Sequence, residues 1–190
     1  QSILLQDYPK QQLEVLFVDG MSKDGTRDIV NNYSKQYPFI RLLNNEKRIV
    51  PVAMNIGIKA SIGDIVMRLD AHAQYPPNYF SVLVKELVRL RADNVGVACK
   101  TDVLNKTSKT LAIREVLSNR FGVGNSTFRL GVDKVIEVDT VPFGCWKKDV
   151  FNKYGFYDER LIRNQDIELN KRIVRGGGHI FIVPDTYCTY

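Results

Sequence analysis

Cysteine, histidine and tryptophan are scarce in this 190-residue chain, which contains three, two and one of them. Cys99, Cys145 and Cys188 lie far apart and form no CxxC pair. That excludes a disulfide framework or a clustered zinc site and points to buried, reduced thiols. No stretch approaches the roughly 18 consecutive apolar residues of a membrane-spanning helix. The start of the chain has no signal-peptide character, because Gln6, Asp7, Lys10, Gln11 and Gln12 interrupt its apolar residues. Neither a GxGxxG fingerprint nor a GxxxxGK(S/T) phosphate loop occurs, which argues against dinucleotide-dependent oxidoreductases and P-loop enzymes. Repeats, low-complexity tracts and interdomain linkers are missing too, so a single domain over residues 1–190 is expected.

What remains is ordinary for a soluble globular domain, 44% hydrophobic and 25% charged residues. The net charge is +6, spread along the chain with short clusters at Lys147-Lys148 and Lys171-Arg172. Such a surface is explained by solvation, and it also suits nucleotide diphosphates or an anionic membrane face. A nucleic-acid partner would rest on charge alone and is not expected.

Short apolar runs alternate with amphipathic stretches. Strands are expected at Leu13–Val18, Ile40–Leu43, Ile65–Leu69, Val95–Ala98, Val135–Val141 and Ile180–Val183. Helices are expected over about Thr26–Tyr37, Val52–Ala60, Tyr79–Arg91, Ser108–Asn119, Lys148–Tyr154 and Gln165–Arg175, with a glycine-bearing polar loop from Phe121 to Gly131. Alternation of this kind implies βαβ units, a mostly parallel sheet flanked by helices, and ligand binding beyond the carboxyl ends of the strands.

Three segments could carry chemistry. Asp19 closes the first apolar strand and opens the loop Gly20–Gly25, where a carboxylate could accept hydrogen bonds from a base or ribose; a capped turn explains the same residues. Asp70 and His72 follow the strand ending at Leu69. In an extended segment both would point the same way, a carboxylate and an imidazole able to share a divalent ion, manganese in preference to magnesium. Asp166 and Glu168 stand in the first turn of a helix, where acids stabilise the helix dipole and where one could also act as a general base. Trp146 could be core or a sugar-stacking wall, and His179 has no acidic neighbour in sequence.

Together, the strings RLDAHAQYP (68–76) and YDERLIRNQDIELNKRI (157–173), with Gln6–Pro9, the Asp19–Thr26 loop, Ala53–Gly57 and Phe121–Arg129, resemble family 2 glycosyltransferases of the GT-A fold, particularly those of the succinoglycan-biosynthesis type. The resemblance implies a Rossmann-like mixed sheet whose N-terminal strand precedes this chain, and one catalytic domain incomplete at both ends. It implies that Asp19, Asn55 and Asp70 bind the nucleotide of a UDP-sugar and that Asp70 and His72 hold the divalent cation. By the same likeness Asp166 is the catalytic base, supported by Glu168, while Trp146 and the Phe121–Arg129 loop lie near sugar or acceptor. The acceptor would be a saccharide, in lipid-linked form, on the pathway to an exopolysaccharide or cell-surface polysaccharide. The expected location is the cytoplasm, in peripheral contact with the inner membrane face. The wider family carries Asp-x-Asp where this chain has Asp70-Ala71-His72. A nucleotide-sugar-forming nucleotidyltransferase would require a Gly-x-Gly-Thr-Arg loop, which is not seen, and a catalytically silent nucleotide-binding module is the other alternative.

Overall fold

The computed structural model describes residues 2–103, 105–124 and 126–190. A 3-10 turn at Lys10–Gln12 leads into β1 (Val15–Asp19), α1 (Thr26–Gln36), β2 (Ile40–Asn44) and α2 (Val50–Ala60). Next come β3 (Ile65–Met67), α3 (Tyr79–Arg89), β4 (Asn94–Lys100) and α4 (Ser108–Ser118). The expected polar loop holds two short helices, α5 (Arg120–Val123) and α6 (Thr127–Leu130); Asn125 of that loop lies outside the described residues. The chain continues through β5 (Ile136–Glu137), β6 (Cys145–Lys147), α7 (Asp149–Tyr154), α8 (Gln165–Arg175) and β7 (Ile180–Thr189).

The strands form a parallel pair, β1–β2, and a five-stranded sheet in the order β3-β6-β4-β7-β5. β4 and β7 pair in parallel, and β6 runs antiparallel to both β3 and β4, so β3, β4 and β7 all point the same way. β5 runs antiparallel to β7. The sheet is therefore mixed, with more antiparallel pairing than simple helix–strand alternation implies, because two short late strands insert against the parallel framework. β6 occupies an interior position although it has only three residues. Gly144 just before it has no room for a side chain: an added Cβ would come within 2.4 Å of both the Asn94 Oδ1 and the Trp146 ring.

β7 runs on past Val183, where a sequence reading stops at Pro184. The register jumps there from Val97↔Val183 to Ala98↔Tyr187, so the proline falls in a bulge, where its missing N–H costs no ladder hydrogen bond. Helices cover both faces. Tyr79, Phe80, Leu83 and Leu87 of α3 pack with Val95, Val97 and Cys99 of β4. Leu169 and Ile173 of α8 and Val150 and Phe151 of α7 pack with Trp146, Ile180 and Ile182. A cavity of about 850 Å³ is lined by Val15, Leu16 and Val18 of β1, by Ile65 to Met67 of β3 and by the segment Arg68 to His72. Among the described residues no strand joins β1 to β3. None of the described helices is long and apolar enough to cross a membrane.

Candidate active site

Asp19 ends β1 and is held by its own loop. Its carboxylate accepts from the Ser22 amide (2.9 Å), the Ser22 hydroxyl (2.5 Å) and Arg27 Nη1 (2.8 Å). Burial pushes this carboxyl up, but the Ser22 and Arg27 hydrogen bonds outweigh it and hold the pKa at about 2. Arg27 also donates to the Asn44 side chain, tying the loop to the end of β2. Asp19 is thus permanently ionised at neutral pH, an acceptor whose orientation is already set.

Asn55 is buried on α2 and bridges to the segment that leads into α8. Its Nδ2 donates to the Tyr157 carbonyl (2.9 Å) and to Glu159 (3.1 Å), and its Oδ1 accepts from the Tyr157 amide (2.9 Å). The structure therefore brings Asn55 together with Tyr157 rather than with Asp19.

Beyond Met67 the chain leaves β3, and Ala73 N–H donates to the Asp70 carbonyl (3.1 Å), closing a turn over 70–73. That turn replaces the extended run expected to set Asp70 and His72 on one face. The exposed His72 ring meets Tyr190 edge-on, centroids 4.8 Å apart. Asp70 instead faces Arg68, whose Nε and Nη2 donate to its two oxygens at 2.9 and 3.1 Å.

Arg68 reaches further. Its Nη1 donates to both oxygens of Asp166, each at 2.7 Å, across a separation of 98 residues. The Arg68 side chain is 9% exposed, those of Asp70 and Asp166 20% and 24%. One buried guanidinium thus joins the carboxylate after β3 to the carboxylate in the first turn of α8. Burial works against the Arg68 charge, but the hydrogen bonds of Asp70 and the charges of both carboxylates raise its pKa. Burial also pushes the Asp166 carboxyl up, and the Arg68 charge and hydrogen bonds only partly offset this. The Tyr157 hydroxyl donates to Asp166 as well (3.3 Å), and burial keeps that phenol protonated well beyond its usual range.

The other candidates lie elsewhere. Glu168 is bound by Arg172 of the same helix, at 2.6 and 2.8 Å. Arg172 also donates to the carbonyls of Tyr154 and Phe156, so this pair fastens α8 to the end of α7. Trp146 cannot be a sugar-stacking wall. It is 1% exposed and its ring packs against Phe151 and Tyr157, leaving no face for a ligand. His179, which has no acidic neighbour in sequence, meets Glu137 of β5 in space, Nδ1 to Oε1 2.6 Å. Arg68 is the residue a sequence reading misses, because an arginine beside an apolar strand is unremarkable until α8 folds against it.

Comparison with known proteins identifies the family and the fold. The profile of Glycosyl transferase family 2 matches residues 1–155. The succinoglycan biosynthesis protein ExoA of Rhizobium meliloti is 31% identical over 188 residues, covering 93% of this chain and 53% of that protein. A dolichyl N-acetyl-alpha-D-glucosaminyl phosphate 3-beta-D-2,3-diacetamido-2,3-dideoxy-beta-D-glucuronosyltransferase of Methanococcus voltae is 27% identical, covering 97% of this chain and 59% of that enzyme. The chain thus spans little more than half the length of these relatives. Among solved structures, S. aureus TarS with UDP-GlcNAc superposes with a TM-score of 0.72 at 17% identity, covering 100% of this chain and 53% of that one. The mannosyltransferase PcManGT of Pyrobaculum calidifontis, with GDP-Man and Mn2+, gives 0.70 at 22%, covering 100% and 50%. GalNAc-T7 with UDP, GalNAc and Mn2+ gives 0.75 at 16%, covering 100% and 39%. These likenesses establish the fold as GT-A, and the match of the family profile over most of its length shows that this chain belongs to glycosyl transferase family 2.

Proposed function

We propose that this chain is the donor-binding and catalytic part of an inverting transferase that moves a sugar from a UDP-sugar to a hydroxyl of a saccharide acceptor in surface-polysaccharide synthesis. The observation that carries the reading is the Asp70–Arg68–Asp166 cluster, which sets a donor-side carboxylate and a candidate base on either side of one guanidinium. UDP as the donor nucleotide is supported by the TarS structures with UDP and UDP-GlcNAc. Asp166 takes the proton from the acceptor hydroxyl as that oxygen attacks the anomeric carbon opposite the diphosphate. One displacement inverts the anomeric configuration. Asp19, ionised and already oriented, accepts from the uracil or ribose, while Asn55 shapes the pocket from behind through Tyr157.

Asp70 and His72 are the residues that would hold a divalent cation, and Mn2+ in the GalNAc-T7 and PcManGT structures supports an ion of this kind. A carboxylate with an imidazole suits manganese better than magnesium, which prefers oxygen. The turn over 70–73 and the contact of the His72 ring with Tyr190 do not set the two side chains on one face, so an ion held there would bring most of its ligands with it: among the described residues no three His, Cys, Asp or Glu side chains cluster, and both Asp70 oxygens accept from Arg68 but keep lone pairs free. Such an ion would supply positive charge against the departing diphosphate. His72→Ala should accordingly weaken UDP binding by about tenfold in manganese and leave it unchanged in chelator, read by calorimetry. Equal losses in both conditions would make His72 structural.

A lipid-linked acceptor is supported by the dolichyl-phosphate chemistry named for the archaeal relative. It would bring the domain to the cytoplasmic face of the inner membrane, and α4 with α5 offers a contact surface. No residue of α4 is buried, Ile113, Val116 and Phe121 are exposed, and the exposed cations Lys106, Lys109 and Arg120 lie near them in the sequence. Apolar side chains among cations suit an anionic interface. The protein should co-sediment with phosphatidylglycerol vesicles and not with phosphatidylcholine vesicles, and Phe121→Asp should release it. Sedimentation that ignores lipid charge and the Phe121 substitution would sink this part of the reading.

A further inference from the structure

Most buried charge pairs serve the fold poorly, because desolvation consumes what attraction supplies. The Arg68 cluster is therefore an odd choice for stability alone: three ionised groups, none more than 24% exposed, joined where β3 ends and α8 begins. Its geometry is also more specific than charge balance needs. All three guanidinium nitrogens are used, Nε and Nη2 on Asp70 and Nη1 on both oxygens of Asp166. A guanidinium is planar, and its donors sit at fixed angles, so two carboxylates bound to different edges of it are held at one separation and in one relative orientation.

The surroundings hold the guanidinium itself. Phe143 carries its ring 5.5 Å from the Arg68 guanidinium carbon, and it does so with a φ of 48°, a conformation costly for a bulky residue. The adjacent Gly144 carbonyl accepts from the Arg68 amide (3.1 Å), and the Tyr157 hydroxyl donates to Asp166 as well.

We propose that Arg68 is a positioning residue for transfer, a rigid spacer that fixes the candidate base Asp166 relative to the donor-side carboxylate Asp70. The inference rests on the reading of Asp166 as base and Asp70 as donor ligand. In-line attack needs the base on the acceptor side at a set distance from the diphosphate, and the two carboxylates belong to elements far apart in the chain. Loops and side chains alone would leave that distance loose. Through Arg68 the helix carrying the base is referenced to the strand end carrying the donor, before any ligand arrives. Its positive charge also favours the ionised form of Asp166 against the effect of burial, so that the group is able to accept a proton.

The test is Arg68→Lys in the full-length protein, which keeps a charge but removes the planar fork. Turnover is measured with whichever UDP-sugar the parent uses from a panel, and affinity is measured by calorimetry with UDP and manganese. A spacer role requires kcat to fall by about tenfold to a hundredfold while UDP affinity stays within about threefold of the parent. Arg68→Ala should be slower still, and added guanidinium ion should recover part of its kcat; if that variant does not fold, the lysine variant stands alone. Two outcomes overturn the inference: kcat of Arg68→Lys within twofold of the parent, or loss of UDP affinity that matches the loss of kcat, which would make Arg68 a phosphate ligand. Asp166→Asn, assayed beside it, separates the two levels. A dead Asp166→Asn with a normal Arg68→Lys removes only the spacer, whereas an active Asp166→Asn removes the base assignment and the spacer with it.

Discussion

Asp166→Asn is expected to lower sugar transfer by about 10²- to 10⁴-fold while nucleotide-sugar affinity stays close to that of the parent. Asparagine keeps the size of aspartate and can still accept one hydrogen bond from Arg68, so the positions of α8 and of the guanidinium should survive. What disappears is the capacity to take a proton from the acceptor hydroxyl. The substitution also removes one charge from a buried cluster and turns an NH2 group toward a donor, which should cost about 1–3 kcal/mol of stability. Thermal unfolding and calorimetry on the same preparation therefore separate loss of chemistry from loss of fold. Glu168→Gln is the matched control. Its carboxylate is engaged by Arg172, four residues on, in a partly exposed pair, so the change should cost at most about 1 kcal/mol and leave kcat within a few-fold. Transfer by Asp166→Asn at the parent rate, with Glu168→Gln inactive, would place the base at Glu168.

The two carboxylates also show what a sequence can reveal of such a site. Two residues along a helix amount to a rotation of about 200°, so Asp166 and Glu168 had to face different surroundings, and in the structure they do. Which of them meets the carboxylate that follows β3 depended on Arg68, and no local pattern announces a contact spanning 98 residues. β1, β2, β4, α1, α3 and α8 were legible because each has an apolar run or stripe of the expected period. β6 was not, since Cys145, Trp146 and Lys147 have neither length nor alternation and are a strand only because β3 and β4 pair with them on both sides. The end of β7 was hidden by Pro184, and α5 and α6 by the glycines around them. The geometry of the Asp70–His72 pair was hidden in a different way. A spacing of two implies a shared face only if the backbone is extended, and the Ala73–Asp70 hydrogen bond folds it into a turn.

Trp146→Ala should destabilise the domain by about 3–5 kcal/mol. The indole is 1% exposed within the cluster of Phe151, Tyr157, Leu169, Ile173, Ile180 and Ile182, on an interior strand with partners on both sides. Removing it leaves a cavity that β6 cannot close by moving, because β3 and β4 hold its backbone. Among the described residues its Nε1 has no hydrogen-bond partner, so substitution forfeits packing and little else, and Trp146→Phe should recover more than half of the loss. The route to the candidate site is indirect: the indole backs Tyr157, whose hydroxyl donates to Asp166. Activity should accordingly fall with the folded fraction in Trp146→Ala, while Trp146→Phe keeps KM for the sugar donor within about twofold. A sugar-stacking wall would behave oppositely, with KM rising in the phenylalanine variant at unchanged stability. Chemical denaturation alongside donor titration distinguishes the two, and a raised KM in a fully stable Trp146→Phe would contradict the burial seen here.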